Sequence, residues 1–342
     1  MGGNPELIFE AVLATWWGQR TFRAVRRESA FRERYPASPD GIVIGAESRE
    51  YPAGGDGPVF ASSGSSDAAS AVQADPSALG DRAILLLHGY NDAPTALDGV
   101  ARRLQRAGWT VLVPLLPGHG RSLEAFCLWS AEEALAASRA AYADLRSRFR
   151  TVAVGGLSMG GALACCLAAE GAARGEAPSA LVLYSPMLVM PPTAQRAHRT
   201  SWLWSPLTKY GAGAGGRSIH DERVRGQQIA YRCSSRGSLR ALAGIAAAVG
   251  RALPGVRTPT LVFHSEEDNR IPAPVARAAL EGLRPAEREV VWVRGAGHVI
   301  TVDFGWEAIA ERTVEWLAGR TGSLAADASV SGISSGSPII PR

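Results

Sequence analysis

The chain has 342 residues, of which 46% are hydrophobic and 20% are charged, and this ordinary globular composition is long enough to bury a full core. The net charge of +4 comes from 36 basic and 32 acidic residues, and every basic residue except Lys209 is arginine. This bias indicates a compositional preference rather than a phosphate-binding stripe, so we expect no nucleic-acid partner. The four cysteines form no CxxC motif and have no zinc-like spacing with histidine, which argues against a metal site and a disulfide framework.

Residues 1–40 predict an N-terminal helical extension. Apolar residues recur at helical spacing over 5–35, and arginines gather towards the end of this stretch, where cations suit the helix dipole. Association of this helix with a membrane surface is one interpretation, but we favour packing on the body of the protein. The sequence shows neither a secretory signal pattern nor an apolar run of transmembrane length, and we therefore expect a cytoplasmic location.

Two stretches are rich in glycine, serine, alanine and aspartate and have few apolar clusters. We predict a flexible loop over 52–80 and a disordered tail over 321–342, because neither stretch buries enough apolar surface to offset its ordering entropy. A short strand is predicted at 41–46, before the loop. The remaining chain, about 41–320, is expected to be one domain that contains the loop.

Within this domain, short apolar strands alternate with helical patterns. The predicted strands are 83–87, 110–113, 151–154, 180–183, 260–263 and 289–293, and the predicted helices are 93–107, 131–150, 159–172, 238–252, 274–282 and 306–317. This succession predicts an α/β fold with a doubly wound, mostly parallel sheet. Residues 187–237 interrupt the alternation after the strand that follows the helix at 159–172, and we interpret them as an inserted cap over the strand ends. Residues that bind ligands or catalyse a reaction are expected just after the strands, at their carboxyl ends.

The strongest motif is at 156–160, where Gly-Leu-Ser-Met-Gly matches G-x-S-x-G, a tight strand-to-helix turn that exposes a serine hydroxyl. A second copy at 332–336 has no strand before it and no helix after it, so its context does not support a site. We predict Ser158 as the nucleophile and the Met159 N–H as one donor to an anionic intermediate. A nucleotide-binding module is the rival interpretation, but the Lys-Ser/Thr of a P-loop is missing.

A serine nucleophile needs a base and an acid that orients the base, and in this architecture the acid and then the histidine follow later strands. Asp268 comes after the strand at 260–263, and Glu267 is the alternative acid. His298 lies in a glycine-bounded loop after the strand at 289–293, and we predict it as the base.

A second backbone donor should come from the loop after the strand at 83–87, and we assign it to the N–H of Tyr90. The other histidines are interpreted as structural or surface residues: His88, His119, His198, His220 and His264. His264 follows a strand directly, which leaves too little chain for its ring to reach Ser158. Surface placement is favoured for the two cap histidines, His198 and His220, over a position on the substrate path.

Together these residues resemble the α/β-hydrolase superfamily, and within it the bacterial carboxylesterases and monoacylglycerol lipases. The resemblance is carried by His-Gly-Tyr at 88–90, Pro-Gly-His-Gly at 117–120, the serine turn at 156–161, the Asp268 turn and Gly-His-Val-Ile-Thr-Val-Asp at 297–303. It covers about 41–320 and leaves the N-terminal helix, the 52–80 loop and the tail as additions to the compact family members.

The resemblance implies a serine hydrolase without a cofactor, acting on small-molecule carboxylic esters, either short- to medium-chain acyl esters or monoacylglycerols. Ser158, His298 and Asp268 would act through an acyl-enzyme, and the apolar cap suits an acyl chain. Thioesterases and serine peptidases of the same fold use the same groups and are the alternatives. A prolyl-type peptidase would need cap carboxylates for a peptide amino terminus, and the cap offers only Asp221 and Glu222. The oligomeric state is left open.

Overall fold

The computed structural model describes residues 5–60, 82–212, 218–285, 287–321 and 339–340. The helices are α1 (Pro5–Arg34), α2 (Asp98–Arg106), α3 (Leu123–Leu128), α4 (Ala131–Arg148), α5 (Met159–Arg174), α6 (Pro192–Arg199), α7 (Ser201–Trp204), α8 (Glu222–Gln227), α9 (Arg236–Ala252), α10 (Ala273–Leu280) and α11 (Trp306–Thr321). The strands are β1 (Arg49–Tyr51), β2 (Val59–Phe60), β3 (Arg82–Leu87), β4 (Thr110–Val113), β5 (Thr151–Leu157), β6 (Leu181–Tyr184), β7 (Gly211–Ala212), β8 (Cys233–Ser234), β9 (Thr260–Ser265), β10 (Arg288–Val293) and β11 (Ile339–Ile340).

One mixed sheet organises these elements, with the strand order β11-β10-β9-β6-β5-β3-β4-β1-β2. The strands from β11 to β4 run parallel, whereas β1 and β2 add an antiparallel edge. The predicted α/β fold with a doubly wound, mostly parallel sheet is confirmed. Because β3 lies between β4 and β5, the winding direction reverses there, and the crevice at the carboxyl ends of β3 and β5 is where such sheets bind ligands.

Both faces of the sheet are buried, which explains why its strands are continuously apolar. In β3, residues 85 and 87 pack in one hydrophobic cluster with α4, α5 and α9, and residues 84 and 86 pack in a second cluster with α2 and α11. All four side chains are fully buried. Successive side chains of β3 thus point to opposite faces of the sheet, and a layer of helices covers each face.

The six strands predicted in the body of the domain correspond to β3, β4, β5, β6, β9 and β10. The strand predicted at 41–46 is wrong, because those residues form turns with a single bridge between Ala37 and Val43. Gly41 and Gly45 both have positive φ, which breaks an extended chain. Ile42 and Val43 are nevertheless buried, so their apolar character signals core packing rather than a strand.

Structure also appears inside the two stretches predicted to lack it. β2 lies in the predicted 52–80 loop and pairs with β1, and β11 lies in the predicted tail and pairs with β10. The rest of those predictions, at 61–80, 322–338 and 341–342, lies outside the described residues. The cap predicted at 187–237 leaves the sheet after β6 and holds α6, α7, α8 and the β7–β8 ribbon, and α9 begins at its end. The short helix α3 was not foreseen.

The C-terminal half of α1 packs against the cap and the adjoining loops, as the sequence favoured. Phe31 is buried and stacks on Tyr231, with ring centroids 5.1 Å apart. Three arginines donate to cap carbonyl oxygens: Arg20 to Ser205 at 3.2 Å, Arg27 to Tyr210 at 2.6 Å and Arg34 to Gly226 at 3.2 Å. In the part of the chain that is described, we find no helix with the length and apolar character to cross a membrane.

Candidate active site

The serine turn lies between β5 and α5 and forces Ser158 into an unusual conformation, with φ 53° and ψ −112°. Such a backbone is strained for any residue with a side chain, and it persists only where its surroundings hold it. Glycines make this possible: a Cβ at Gly156 would collide with the backbone of Gly160, and one at Gly160 would collide with the carbonyl oxygen of Leu87. The turn thus presses against β3 and lifts the serine hydroxyl above the sheet.

Three of the predicted residues meet at these strand ends. Ser158 Oγ lies 2.8 Å from His298 Nε2, and His298 Nδ1 lies 2.7 Å from Asp268 Oδ2. All three residues are buried. The other oxygen of Asp268 accepts hydrogen bonds from the backbone N–H groups of Arg270 and Ile271, at 2.7 and 2.8 Å. This chain of contacts can remove a proton from the serine and stabilise the resulting imidazolium.

The charge state of Asp268 suits that chemistry. Burial alone would raise the pKa of Asp268, but the imidazole of His298, His264 and the Ile271 N–H outweigh it and hold the pKa below its usual value. His264 lies beneath the carboxylate, with Nε2 donating to the Ile271 carbonyl at 2.9 Å. Burial lowers the pKa of His264, so its ring packs as a neutral support, as the sequence predicted.

The alternative acid, Glu267, does not reach His298. Its Oε1 accepts from the Gly295 N–H at 2.9 Å, and its Oε2 lies 3.7 Å from His220 Nδ1. Glu267 therefore braces the loop that carries the histidine. His220 contacts the same loop, with Nδ1 3.1 Å from the Gly295 carbonyl oxygen, so it is partly buried between cap and body rather than at the free surface that was favoured for it.

Two backbone N–H groups near the serine turn are without a hydrogen-bond acceptor in the described part of the chain. They belong to Met159, which directly follows Ser158, and to Tyr90, which lies in the loop after β3. Tyr90 is fixed at both ends, because its hydroxyl donates to Ser238 at 2.7 Å and its carbonyl lies 2.7 Å from His119 Nε2. The arrangement can stabilise a negative charge on a carbonyl oxygen bound beside the serine.

His88 braces the loop that contains Tyr90. Its Nε2 accepts from the Leu116 N–H at 3.0 Å, which leaves Nδ1 to donate to the Gly89 carbonyl at 2.9 Å. Burial, together with nearby His119, lowers the pKa of His88 to about 3, so the ring stays neutral. This matches the structural interpretation of His88 and His119.

Sequence reasoning gave no role to Asp303, although it belongs to the Gly-His-Val-Ile-Thr-Val-Asp segment. Its buried carboxylate accepts four backbone N–H groups, from Gly297 at 2.6 Å, His220 at 2.8 Å, Asp221 at 2.9 Å and Phe304 at 2.9 Å. One side chain therefore ties the part of the cap just before α8 to the loop that carries the histidine. The motif pointed to Asp303, but only the folded chain shows what it holds.

The apolar cap residues differ in exposure: Met187 and Leu188 at its start are buried, whereas those of α7 are more open. Trp202 is 62% exposed and Leu203 54% exposed. Trp204 is half-buried, and its indole N–H donates to the Ala197 carbonyl at 3.1 Å. These side chains lie at the cap surface, with Trp204 holding α7 against α6.

A mostly parallel sheet with a strained serine turn at its switch point defines the α/β-hydrolase class. A family model described as "Serine aminopeptidase, S33" (Hydrolase_4) matches residues 80–304, more than half of the chain. The chain belongs to this family.

Its relatives refine that placement. The thermostable monoacylglycerol lipase of Bacillus sp. (strain H-257) is 29% identical over 240 residues, which cover 70% of this chain and 91% of the relative. A carboxylesterase of Bacillus subtilis (strain 168) is 23% identical, covering 70% of this chain and 93% of the relative. A solved structure of a metagenome-derived lipolytic enzyme, described with LipS and LipT, is 27% identical with a TM-score of 0.63, covering 70% and 94% of the two chains. The protein thus lies in the lipase and esterase branch of the α/β-hydrolase superfamily.

Proposed function

We propose that this protein is a serine hydrolase that cleaves carboxylic esters, of short- to medium-chain acyl groups or of monoacylglycerols, through an acyl-enzyme. The observation that carries the proposal is the unbroken contact chain from Ser158 Oγ through His298 to Asp268, beside two backbone donors. The similarity to a monoacylglycerol lipase and a carboxylesterase supports the ester as the substrate class.

In the acylation step, Ser158 Oγ attacks the ester carbonyl carbon while His298 Nε2 takes the hydroxyl proton. The N–H groups of Tyr90 and Met159 stabilise the oxyanion that forms. Asp268 accepts the Nδ1 proton of the ring, which fixes its tautomer and stabilises the imidazolium. His298 then donates its proton to the leaving alcohol, and the acyl group stays on Ser158.

In the deacylation step, water enters where the alcohol was and loses a proton to His298. The resulting hydroxide attacks the acyl carbon, the tetrahedral intermediate collapses, and Ser158 Oγ regains the proton as the carboxylic acid leaves. The same two backbone donors serve both steps. The cycle needs no cofactor.

The cap carboxylates favour an ester over a peptide, despite the family description. Asp221 accepts from the Arg223 N–H at 2.9 Å and caps α8, and Glu222 pairs with Arg225 at 2.8 Å. Both carboxylates thus have partners within α8, Asp221 as the helix cap and Glu222 in an exposed ion pair. Thioesters would react by the same steps and are compared directly in the test below.

The test is hydrolysis of p-nitrophenyl esters of increasing acyl length by the wild type and by Ser158→Ala. The variant is expected to lose roughly 10⁴-fold or more in kcat/KM. Ser138→Ala is the matched control, since Ser138 is a buried serine of α4 whose hydroxyl only donates to the Ala134 carbonyl. Retained activity in Ser158→Ala would show that the nucleophile is wrong. Cleavage of peptides or thioesters, with no ester hydrolysed, would show that the class is wrong.

A cytoplasmic location is part of the proposal. All four cysteines are free thiols, the state expected in a reducing compartment. Cell fractionation of the native host tests it, and recovery in the membrane or culture medium would contradict it.

A further inference from the structure

The loop after β3 carries a carboxyl group that the reaction steps above leave unused. Asp92 folds back over Gly89, so that a Cβ at Gly89 would collide with Asp92 Oδ2 and would lie 3.6 Å from Ser158 Cβ. Only the missing side chain of Gly89 lets the carboxyl group and the nucleophile approach each other. Asp92 therefore lies beside the reacting centre.

Within the described residues, this carboxyl group makes no hydrogen bond and no ion pair. No described residue donates a hydrogen bond to the Asp92 side chain or pairs with it at ion-pair distance. The residue as a whole keeps a partly accessible surface. Burial raises the pKa of Asp92 to about 6, although the charges of His298 and Arg270 act to lower it. A desolvated carboxyl group without a hydrogen bond costs folding free energy, which is typical of a group whose partner arrives with the ligand.

The position of the leaving group indicates which part of a substrate lies near Asp92. His298 Nε2 protonates the leaving oxygen, so the alcohol portion of the ester must lie against His298. Asp92 is close enough to His298 and Arg270 for their charges to act on it. Arg270 is itself held in place, with Nε donating to Ser218 Oγ at 2.7 Å. Asp92 is thus near the nucleophile, across Gly89, and within the electrostatic range of the base against which the leaving alcohol lies.

We propose that Asp92 is a specificity-determining residue whose carboxylate accepts a hydrogen bond from a hydroxyl group on the alcohol portion of the substrate. The enzyme then prefers esters of hydroxylated alcohols to esters of plain alkyl alcohols of the same size. The inference rests on the proposed ester hydrolysis and deepens it, because it assigns the alcohol preference to one side chain.

The experiment compares two esters of nearly equal size, 2-hydroxyethyl butyrate and propyl butyrate, which differ in one hydroxyl group. The wild type is expected to have the higher kcat/KM for the hydroxyethyl ester. Asp92→Ala should lower this preference by about 10- to 100-fold, the value of a hydrogen bond to a charged group. Asp92→Asn keeps an acceptor but loses the charge and should fall in between.

The ratio of the two rates cancels general damage to the fold, since both esters use the same triad. Glu315→Gln is the control for loss of one carboxylate, because Glu315 is exposed on α11, and its ratio should equal that of the wild type. Thermal melting at pH 8 is a second readout: Asp92→Asn should melt no lower than the wild type, because it removes a desolvated charge.

An unchanged preference in Asp92→Ala would overturn the assignment, as would an equal slowing of both esters, which places Asp92 in a step common to all substrates. A marked drop in the melting temperature of Asp92→Asn would also overturn it, by revealing a structural partner. If the wild type hydrolysed neither ester, the proposed function itself would fail and the inference with it.

Discussion

The strand ends and the cap are built on different kinds of contact. At the strand ends, backbone segments approach so closely that only glycine fits, as at Gly160 against Leu87. In the cap, Gly226 lies at the surface, and a Cβ there would meet no other atom within 4 Å. Close packing of the backbone fixes the positions of the reacting groups, whereas an added side chain at Gly226 meets only open space. The two regions join at Asp303, where the cap is bonded to the histidine loop.

The largest effect expected from this difference is on a pair of glycines. Gly160→Ala should destabilise the protein by about 3 kcal/mol or more and abolish activity, because the new methyl group overlaps the Leu87 carbonyl on a strand that cannot move. Gly226→Ala in α8 is the matched control and should be neutral or stabilising by up to about 1 kcal/mol. Urea unfolding and ester hydrolysis measure both. If the two substitutions changed stability and activity equally, the proposed difference between the strand ends and the cap would be wrong.

A smaller effect is expected where the regions join. Asp303→Asn replaces an oxygen that accepts backbone N–H groups with an amide nitrogen that cannot, so the loop carrying His298 should loosen. We expect kcat to fall by about 10- to 100-fold, with little change in KM. Asp221→Asn is the control, since its side chain caps α8 within the cap, and its kcat should change by less than about threefold. A similar loss in both variants would contradict the role of Asp303 as the junction.

A third effect is expected on the pH dependence of stability, spread over several pH units. Because the pKa of His88 is held near 3, far below its ordinary 6.5, the unfolded chain takes up a proton that the folded protein does not. His88 therefore contributes stability that is complete above pH 6.5 and is lost as the pH falls towards 3, at about 1.4 kcal/mol per pH unit. Buried His119 and His264, whose pKa values are also lowered, act in the same direction.

Urea unfolding between pH 7 and pH 4 measures this slope. His88→Gln should flatten it, since the amide can still donate and accept but does not titrate. His198→Gln, in the cap helix α6, controls for the loss of a histidine outside the body. A slope that His88→Gln leaves unchanged would show that His88 is not among the groups responsible.

The body of the fold was predictable from sequence because its strands are buried on both faces, and continuous apolar runs between turn residues carry that information. The three residues that meet at the strand ends were found for a related reason: Ser158, Asp268 and His298 each follow a buried strand, and parallel strands end at one edge. The order of these residues along the chain, and the position of each just after a strand, were therefore enough to predict that they meet.

Other features depend on contacts that no local pattern encodes. Residues 41–46 are as apolar as a strand, but two glycines with positive φ turn them into loops packed in the core. The cap elements are short and are held by neighbours distant in sequence, so they carry weak periodicity. The contacts of Asp303 and Asp92 follow from distances between loops. A lone aspartate in a sequence gives no sign of whether four N–H groups or none will face it.

The attachment of α1 to the cap has a consequence for how this protein can diverge. Three of the six arginines of α1 bind main-chain carbonyl oxygens of the cap, at 205, 210 and 226. Every amino acid supplies the same carbonyl group, so substitutions at those positions leave the attachment chemically intact. Substitutions can accordingly change the cap side chains while α1 keeps its hydrogen bonds to the cap backbone. Substrate preference can therefore evolve without a compensating change in the N-terminal extension.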